Sequence, residues 1–224
     1  MIPLDDFAVT TIEASLPIIG RRQQERVDIK EKILSAAREI VVKDGYEGVS
    51  MRKIGARIGY TAMAPYRYFA DKDAILRELC LADFGTLKRS LDSIASEPDP
   101  LDRLRKMGRA YVAFARDYPN QYRLLFMTPL PKEIQIDPAQ TENPEEGCYL
   151  KLMETMRLAI LEGRFKPEHD DPEKLSQVFW AGLHGIVSLH IILQEAPRIE
   201  WRSLESTAET IINVVIDGFM AVAL

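Results

Sequence analysis

Hydrophobic side chains recur along most of this chain at intervals of three and four residues, the period that predicts α-helices. The first predicted helix opens at a capping pair, Asp28 and Glu31, and runs to about Lys43. Its apolar face is formed by Ile33, Ala37, Ile40 and Val41. No stretch alternates with the period of two that is typical of strands. The pattern therefore predicts an all-α fold.

Capping residues and prolines mark where the later helices begin. Residues 128–147 hold four prolines and little periodicity, so we expect an unusually long loop there. The predicted helices run from Asp71 to about Ala95, from Asp99-Pro100 through Ala115, from Pro119 through Phe126, from about Glu145 to Leu161, from Asp171-Pro172 to about Gln194, and from Ser203 to the last residue.

Two short helical patterns lie on either side of Gly59, between residues 50 and 72. Ser50 is placed to cap the first, in which Met51, Ile54 and Ile58 recur at helical spacing. Gly59 permits the left-handed backbone of a sharp turn. Thr61 is the expected cap of the second helix, whose first residues are small or slender and would fit a DNA major groove.

Residues 30–80 resemble the N-terminal DNA-binding domain of TetR-type transcriptional regulators. The matching motifs are an ILxAA helix, a DGYEGVS turn, an IGxRIGYT helix and turn, a PYRYF recognition segment, and DKDAIL at the start of the next helix. Gly55 departs from the usual alanine, and Pro65 lies where an aliphatic residue is common. The WAGLHGIVSL stretch further on resembles the tryptophan-histidine-glycine (WHG) signature of one TetR-type C-terminal subgroup.

This resemblance implies an N-terminal three-helix helix-turn-helix domain and a C-terminal helical domain for effector binding and dimerisation. The expected division is a flexible arm at 1–27, a DNA-binding domain at 28–78 and an effector-binding and dimerisation domain at 79–224. Residues 1–27 end in RRQQER, so they are either an arm that adds phosphate contacts or a plain tail. The helix that starts at Asp71 connects the two domains and is the expected lever between them.

The resemblance also implies which residues meet DNA. Arg67 is the best candidate for a guanine contact, because its guanidinium fork matches the O6 and N7 acceptors. A phosphate contact, or an ion pair with Asp71 or Asp73, explains Arg67 equally well. The positions expected at phosphates are Ser50, Arg52, Tyr66, Tyr68 and Lys72, and those expected near base edges are Thr61, Ala62, Met63 and Arg67, whereas Phe69 is assigned to the core.

The helix predicted after Pro172 is apolar around most of its circumference and therefore needs packing partners on two sides. Four helices, two from each of two chains, would supply them, and Gly182 and Gly185 permit a close approach. The alternative is a monomer whose own core covers both final helices. The expected homodimer interface comprises Phe179, Gly182, Leu183, Ile186, His190, Ile211, Ile212, Val215 and Phe219.

Methionine and aromatic residues of the second domain are candidates to line an effector pocket. Such side chains form an adaptable apolar wall with a few polar tips, which suits a small lipophilic or aromatic effector. For each residue taken singly a place in the core is the favoured interpretation, and for His184 it is a buried histidine that bonds to the backbone. The candidates are Tyr111, Phe114, Tyr122, Phe126, Met127, Met153, Met156, Trp180 and His184.

Charge is unevenly distributed along the 224 residues, whose formal net charge is −5. Residues 21–78 carry a balance of +4, whereas residues 79–224 carry −6. A basic head on an acidic body suits a protein whose head alone meets phosphates. Differences of this size are also common between the halves of ordinary enzymes, so charge alone does not establish DNA binding.

Several other classes of protein lack support in the sequence. Two cysteines without CxxC spacing and the absence of a secretory signal favour a cytoplasmic protein, and no segment is expected to span a membrane. No catalytic motif is present, and three scattered histidines make a poor metal site, so neither an enzyme nor a cofactor is expected. The resemblance implies a ligand-responsive repressor that binds a palindromic operator in double-stranded DNA as a homodimer and is released by its effector. The alternative is a non-specific architectural DNA-binding protein without an effector.

Overall fold

The computed structural model describes residues 18–131, 134, 144–193 and 200–221, and side chains at 18–22 and 144–146 are not described. Helices account for all of its named elements apart from one short 3-10 turn, which confirms the predicted all-α fold for the described residues. They are α1 (Ile18–Gly48), α2 (Met51–Arg57), the 3-10 turn Pro65–Arg67, α3 (Lys72–Asp92), α4 (Pro100–Asp117), α5 (Pro119–Met127), α6 (Pro144–Leu161), α7 (Pro172–Leu193) and α8 (Leu204–Phe219).

Side-chain caps start most of these helices at the predicted places. Each capping oxygen accepts a hydrogen bond from a backbone N–H that the helix itself leaves unpaired. Asp71, for example, accepts from the N–H of Ala74 over 2.7 Å. The predicted caps confirmed in this way are Ser50, Asp71, Asp99, Asp171 and Ser203.

Helix α1 begins earlier than predicted, at Ile18, so residues 18–27 of the proposed arm are helical. Asp28 is therefore not a cap; it lies inside the helix, where Gln24 donates a hydrogen bond of 2.9 Å to its carboxylate. The physical reason is that no glycine or proline between Arg21 and Lys43 stops the helix. Residues 1–17 lie outside the described part of the chain.

Regular helical geometry in α1 ends close to where the sequence places it. Gly45 adopts φ 72°, in the left-handed region, and breaks the run of helical dihedrals. The α1 face predicted to be apolar, Ile33, Ala37, Ile40 and Val41, is buried.

The buried side chains form two clusters. The head cluster joins α1, α2 and the first half of α3 with Phe69, which confirms that Phe69 belongs to the core. The body cluster joins α4, α6, α7 and α8 with the second half of α3. Helix α3 runs without interruption through the proposed domain boundary at residue 78 and contributes to both clusters.

Two details lie away from the predicted boundaries. Helix α8 ends at Phe219, after which Met220 pairs with Phe165 as an isolated bridge that ties the chain to the α6–α7 connection. The start of the predicted 128–147 loop packs on the head, since Leu130 contacts the head cluster and Ile134 is buried in it. Residues 132–133 and 135–143 lie outside the described part of the chain.

Candidate nucleic-acid interface and effector site

Gly55 brings the turn after α2 unusually close to that helix. A Cβ atom at position 55 would lie 2.6 Å from the carbonyl oxygen of Thr61 and 3.2 Å from the Cα of Ala62, so alanine would collide with backbone atoms. Gly59 adopts φ 76°, as predicted for the sharp turn. The glycine that departs from the family pattern therefore has a packing role in this chain.

The segment after this turn differs from the prediction, because no α-helix forms between Thr61 and the start of α3. A single 3-10 turn, Pro65–Arg67, is the only helical element between α2 and α3. The 3-10 turn has no side-chain cap among the described residues, and the Thr61 carbonyl accepts from the N–H of Ala64 over 3.0 Å. Pro65 lacks the N–H that would donate to the Thr61 carbonyl and continue a helix begun there.

Most of the predicted DNA-contacting side chains nevertheless lie on one exposed segment. Met63 is 68% exposed and Tyr66 is 51% exposed, both large apolar or aromatic groups without a packing partner that would bury them. Arg52 on α2 is exposed as well. The predicted positions that are exposed are Arg52, Thr61, Ala62, Met63, Tyr66 and Arg67, and Ser50 is half-buried as the α2 cap.

Within the described part of the chain, Arg67 makes no ion pair with Asp71 or Asp73, which removes one of the explanations for it. Asp71 caps α3, and Asp73 accepts a hydrogen bond of 2.8 Å from the Tyr46 hydroxyl. Neighbouring cations on α2 are neutralised by α1: Lys53 lies 3.4 Å from Asp44, and Arg57 lies 2.5 Å from Glu39.

Two predicted phosphate contacts have other partners in this structure. The ammonium of Lys72 lies 3.8 Å from the centre of the Tyr46 ring and 4.0 Å from Glu47, so its charge already has two neighbours. Tyr68 is half-buried and packs against the head cluster. Both are less available for DNA than Arg52 and Arg67.

Five of the nine predicted pocket residues meet in one aromatic cluster of the body. The rings of Tyr111 on α4, Tyr122 and Phe126 on α5, and Trp180 and His184 on α7 have neighbouring centres between 5.0 and 6.3 Å apart. We call these five residues the aromatic cluster. Most of these ring pairs are edge-on or tilted, and Tyr122 stacks on His184, geometries that favour aromatic contacts at these separations.

Hydrogen bonds connect the polar tips of the aromatic cluster. Trp180 donates its indole N–H to the Tyr111 hydroxyl oxygen over 3.1 Å. The hydroxyl oxygens of Tyr111 and Tyr122 are 2.9 Å apart, and the Tyr122 oxygen lies 2.6 Å from Nδ1 of His184. His184 therefore bonds to tyrosine side chains and not to the backbone, contrary to the expected alternative.

Burial keeps this network uncharged. Desolvation raises the pKa of Tyr111 to about 12 and also raises the pKa of Tyr122, while it lowers the pKa of His184. The tyrosines remain protonated and the imidazole remains neutral at neutral pH. The cluster presents hydrogen-bonding groups without a net charge.

The other four predicted pocket residues are not part of this cluster. Phe114 is buried against Tyr118, with ring centres 5.7 Å apart, and Met156 is fully buried in the body core. Met127 and Met153 are half-buried. Phe114, Met156 and Met127 pack in or against the body cluster, which supports their interpretation as core.

Two further rings adjoin the aromatic cluster and were not predicted. Phe84 contacts Phe126 edge-on with ring centres 5.7 Å apart, and Tyr149 lies 6.2 Å from Trp180. Phe84 lies on the same face of α3 as Cys80 and Leu87, so helical spacing placed it in the core but could not show which ring it meets.

A surface groove of about 320 Å³ lies elsewhere, between α3, α4 and α6. None of the predicted pocket residues lines it. Its walls are formed by Leu91, Ala95, Arg103, Met107, Leu150, Lys151, Glu154 and Thr155.

Helix α5 joins the aromatic cluster to the head. Leu124 is fully buried in the head cluster, whereas Tyr122 and Phe126, two residues away on either side, belong to the aromatic cluster. A second connection is the ion pair of Arg38 on α1 with Asp83 on α3, whose Nη2 and Oδ1 atoms are 2.7 Å apart. Body and head are thus coupled through α5 as well as through α3.

Several residues expected at a dimer interface belong to the core of one chain instead. Phe179, Leu183, Ile212 and Phe219 are buried in the body cluster and cannot meet a second chain. The buried and the exposed apolar residues lie on opposite faces of α7 and α8. Because both faces are apolar, the sequence could not show which of them is buried.

Gly182 also serves the single chain, because a Cβ there would lie 3.3 Å from Ile211 of the same chain's α8. Gly185, by contrast, faces open space. Ile186, His190, Ile211 and Val215 are half-buried.

A different set of residues on α7 and α8 faces outward. Val178, Leu189 and Ile192 on α7 and Val214 on α8 are exposed, and together with Ala181 and Gly185 they form what we call the outer face. These six residues are apolar, yet they lie on the surface of the chain.

Contrary to the sequence-based expectation, one described helix has the length and composition of a membrane span, as core helices of soluble proteins also can. Helix α7 is 22 residues long, and an 18-residue window in it has a mean hydropathy of 1.4. The helix packs along one side in the body cluster through Leu175, Phe179, Leu183 and Val187. Its apolar character thus combines a core face with the outer face.

Two protein-family models match this chain. The model described as bacterial regulatory proteins of the tetR family matches residues 33–79. The model described as a tetracyclin repressor-like C-terminal domain matches residues 104–198. The first spans most of the head and the second spans most of the body.

Curated relatives include the HTH-type transcriptional regulator Rv1816 of Mycobacterium tuberculosis, 24% identical over 202 residues that cover 79% of this chain and 86% of that protein. The HTH-type transcriptional activator FasR of Mycolicibacterium smegmatis is 30% identical over 143 residues, 59% of this chain and 62% of FasR.

Solved structures show the same fold. A TetR family transcription regulator from Marinobacter aquaeolei VT8 matches with a TM-score of 0.70 at 19% identity over 88% of this chain and 98% of its own. AibR, solved in complex with isovaleryl coenzyme A and operator DNA, matches with a TM-score of 0.64 at 19% identity over 83% and 96%.

Proposed function

Because this chain belongs to the TetR family of transcriptional regulators, we propose that it is a ligand-responsive repressor of transcription. It binds a palindromic operator as a homodimer, and a small lipophilic or aromatic effector releases it. The observation that carries the DNA-binding part is Arg67, an exposed guanidinium without an ion pair among the described residues, beside exposed Met63 and Tyr66.

The charge pattern around Arg67 supports this assignment. Lys53 and Arg57 are paired with carboxylates of α1, which leaves Arg52 and Arg67 as the cations of α2 and the recognition segment that are available for phosphates or bases. In the proposed complex Arg67 contacts a base edge or a phosphate, and Arg52 contacts the backbone. The short 3-10 turn Pro65–Arg67, rather than a full helix, presents these groups to the groove.

The effector acts at the aromatic cluster. Its rings pack closely in this structure, so a ligand that enters must displace at least one of them. Phe126 and Tyr122 lie on α5, and Leu124 of the same helix is buried in the head. A ligand that favours a shifted α5 therefore also favours a shifted head, and it lowers operator affinity by the same factor by which DNA lowers ligand affinity.

The outer face of α7 and α8 is the proposed dimer interface. It is apolar and continuous along α7, and Gly185 leaves room for the close approach of a helix from a second chain. Pairing of two outer faces would form a four-helix bundle. A second chain that covers this face would also explain why α7 is apolar enough to resemble a membrane span. The proposed place of action is the cytoplasm.

The first test is a fluorescence-anisotropy titration of the purified protein against DNA from upstream of its own gene, with scrambled competitor DNA at fixed salt. We expect binding to one palindrome with two protomers, or a multiple of two, per site. Binding equal to that of the competitor would contradict this proposal and favour the architectural alternative.

Two variants make the same assay specific for Arg67. Arg67→Ala should weaken operator binding by about 1–3 kcal/mol if Arg67 contacts a guanine, and discrimination at one base pair should fall with it. If Arg67 contacts a phosphate, binding to all sequences should weaken and the salt slope should fall by about one. Arg57→Ala is the matched control, because Arg57 is paired with Glu39. Equal effects of the two variants would refute the role of Arg67.

A further inference from the structure

The hydrogen-bond network of the aromatic cluster has a direction. Two hydroxyl hydrogens, those of Tyr111 and Tyr122, have three acceptors within reach, namely the two hydroxyl oxygens and Nδ1 of His184. The shortest separation, 2.6 Å, joins Tyr122 to Nδ1, so Tyr122 donates to the imidazole and Tyr111 donates to Tyr122. The indole N–H of Trp180 then occupies the Tyr111 oxygen from the other end.

This arrangement requires Nδ1 of His184 to be unprotonated. If Nδ1 carried a hydrogen, the two tyrosine hydroxyls would have only each other as acceptors, and one O–H would lack a partner. Tyr111 and Tyr122 are both buried, so that O–H would not find water either. A doubly protonated imidazole leaves the same hydroxyl without an acceptor. The network therefore selects the neutral tautomer with its hydrogen on Nε2.

The Nε2–H group of His184 is the end of the chain of hydrogen bonds. No acceptor for it is found among the described residues, and His184 is only half-buried. It lies one helical turn after Trp180, which is 38% exposed. The hydrogen bond at Nδ1 fixes the orientation of the ring, and the network leaves its Nε2–H donor unused.

A second polar group without a partner adjoins the aromatic cluster at Trp180. The hydroxyl oxygen of Tyr149 is buried and forms no hydrogen bond with the described residues, although its ring contacts that of Trp180. A buried hydroxyl without a partner is rare in folded proteins and often marks a place that another group occupies. This observation on α6 is independent of the network on α4, α5 and α7.

We propose that the effector places a hydrogen-bond-accepting oxygen, a carbonyl or carboxylate oxygen, on Nε2–H of His184, with its apolar part against the rings of Trp180 and Tyr149. This inference rests on the proposed function only in calling the ligand an effector. It narrows the ligand class to lipophilic or aromatic acids and carbonyl compounds. Pure hydrocarbons leave the Nε2–H unpaired, and amines present it with a second donor.

The tautomer is tested directly by a two-bond ¹H–¹⁵N correlation spectrum of the full chain without DNA. We expect the nitrogen shifts of His184 to show hydrogen on Nε2 and an acceptor at Nδ1. Hydrogen on Nδ1, or an imidazolium at neutral pH, would overturn the proposal. Since no variant is needed, the result does not depend on whether a substituted protein folds.

The ligand class is tested with four probes of the same skeleton: 4-phenylbutanoate, its methyl ester, 4-phenylbutylamine and butylbenzene. Binding to the DNA-free protein is followed by Trp fluorescence and by the Nε2 shift of His184. We expect the acid or the ester to bind at least about tenfold tighter than the amine and the hydrocarbon, which corresponds to about 1.4 kcal/mol of binding free energy. Equal affinities, tighter amine binding, or no response to the acid or the ester up to its solubility would overturn the proposal.

Variants locate the effect on His184. His184→Phe should reduce the affinity for the acid and the ester to that of butylbenzene, and the double variant Tyr111→Phe with Tyr122→Phe should lose the same selectivity although His184 is present. His190→Phe is the matched control and should keep this selectivity, because His190 lies on the same helix as His184 but contacts Trp201. These assays contain no DNA and are therefore independent of operator binding. If the predicted selectivity is not found but the protein still binds its operator, only the proposed ligand class is rejected.

Discussion

At the scale of single residues, Gly55 shows how a departure from a family pattern changes local structure. Without a side chain at position 55, the backbone of Thr61 and Ala62 lies against α2, and the segment continues through Pro65 as a 3-10 turn. Glycine and proline thus act together: one permits the close turn, and the other prevents a longer helix. The exposed position of Met63 and Arg67 follows from both.

Gly55→Ala should therefore destabilise the head. Alanine has the better helix propensity, but its Cβ would overlap the Thr61 carbonyl, and overpacking of this kind costs about 1–3 kcal/mol. The measurement is the free energy of unfolding in urea. Gly85→Ala is the control, since a Cβ there meets only the end of the Arg89 side chain at 3.7 Å. A Gly55→Ala protein more stable than wild type would contradict this packing.

At the scale of helices, the connection between head and body depends on α1, α3 and α5. Arg38 and Asp83 link α1 to α3 with a nearly buried ion pair. Burial raises the pKa of Asp83, and the Arg38 guanidinium opposes that effect. Helix α5 adds an apolar connection through Leu124.

Arg38→Met should cost about 3 kcal/mol of unfolding free energy near neutral pH, because it leaves the buried Asp83 carboxylate unpaired. The pKa of Asp83 would rise further, and a raised folded-state pKa means that stability increases as pH falls toward the unfolded value. The deficit relative to wild type should therefore be smaller at pH 5 than at pH 7.5.

The matched control for the ion pair is Arg57→Met, since about half of each side chain of the Arg57–Glu39 pair is exposed and such pairs contribute about 0–1 kcal/mol. The measurement is the free energy of unfolding in urea of both variants and the wild type at pH 5 and pH 7.5. A deficit for Arg38→Met that grows as the pH falls would show that Asp83 does not control it.

Leu124→Ala should destabilise the protein by about 2–5 kcal/mol, because a fully buried leucine leaves a cavity in the head cluster. Operator affinity should fall as well, since the cavity lies under the DNA-binding helices. Leu150→Ala on α6 is the control, with a side chain that is largely exposed and an expected change below about 1 kcal/mol. Equal stability of the two variants would argue against α5 as a connection between body and head.

At the scale of the whole molecule, the outer face of α7 and α8 remains uncovered in a single chain. The inward faces of the same helices are buried in the body cluster, so among the described residues the outer face is the exposed apolar part of α7 and α8. We expect the protein to be a dimer whose four-helix interface comprises this face.

Leu189→Asp or Val214→Asp should convert the dimer to a monomer, because a carboxylate in an apolar interface loses its hydration without gaining a partner. Sedimentation velocity at micromolar concentration measures the change. Leu161→Asp is the control, an exposed leucine at the end of α6 outside the outer face. A dimer that persists in both outer-face variants would place the interface elsewhere.

The sequence alone determined which segments are helical and where most of them begin, because side-chain caps, prolines and apolar periodicity act over a few neighbouring residues. Asp71, Asp99 and Asp171 cap helices as predicted for that reason. It also determined the family, through motifs with fixed spacing. Local signals failed at Asp28, where good helix formers on both sides extended the helix, and at Thr61, where Pro65 ended it.

Only the tertiary structure decided which apolar faces are shared within one chain. Phe179 and Leu189 are both apolar residues of α7, but one is buried in the core and the other is exposed, since burial depends on which helices pack together. The tertiary structure likewise brought Tyr111, Tyr122 and His184 into one network from three helices. Residues 62 to 73 positions apart meet there because hydrogen bonding acts over a few ångströms in space, whatever the separation along the chain.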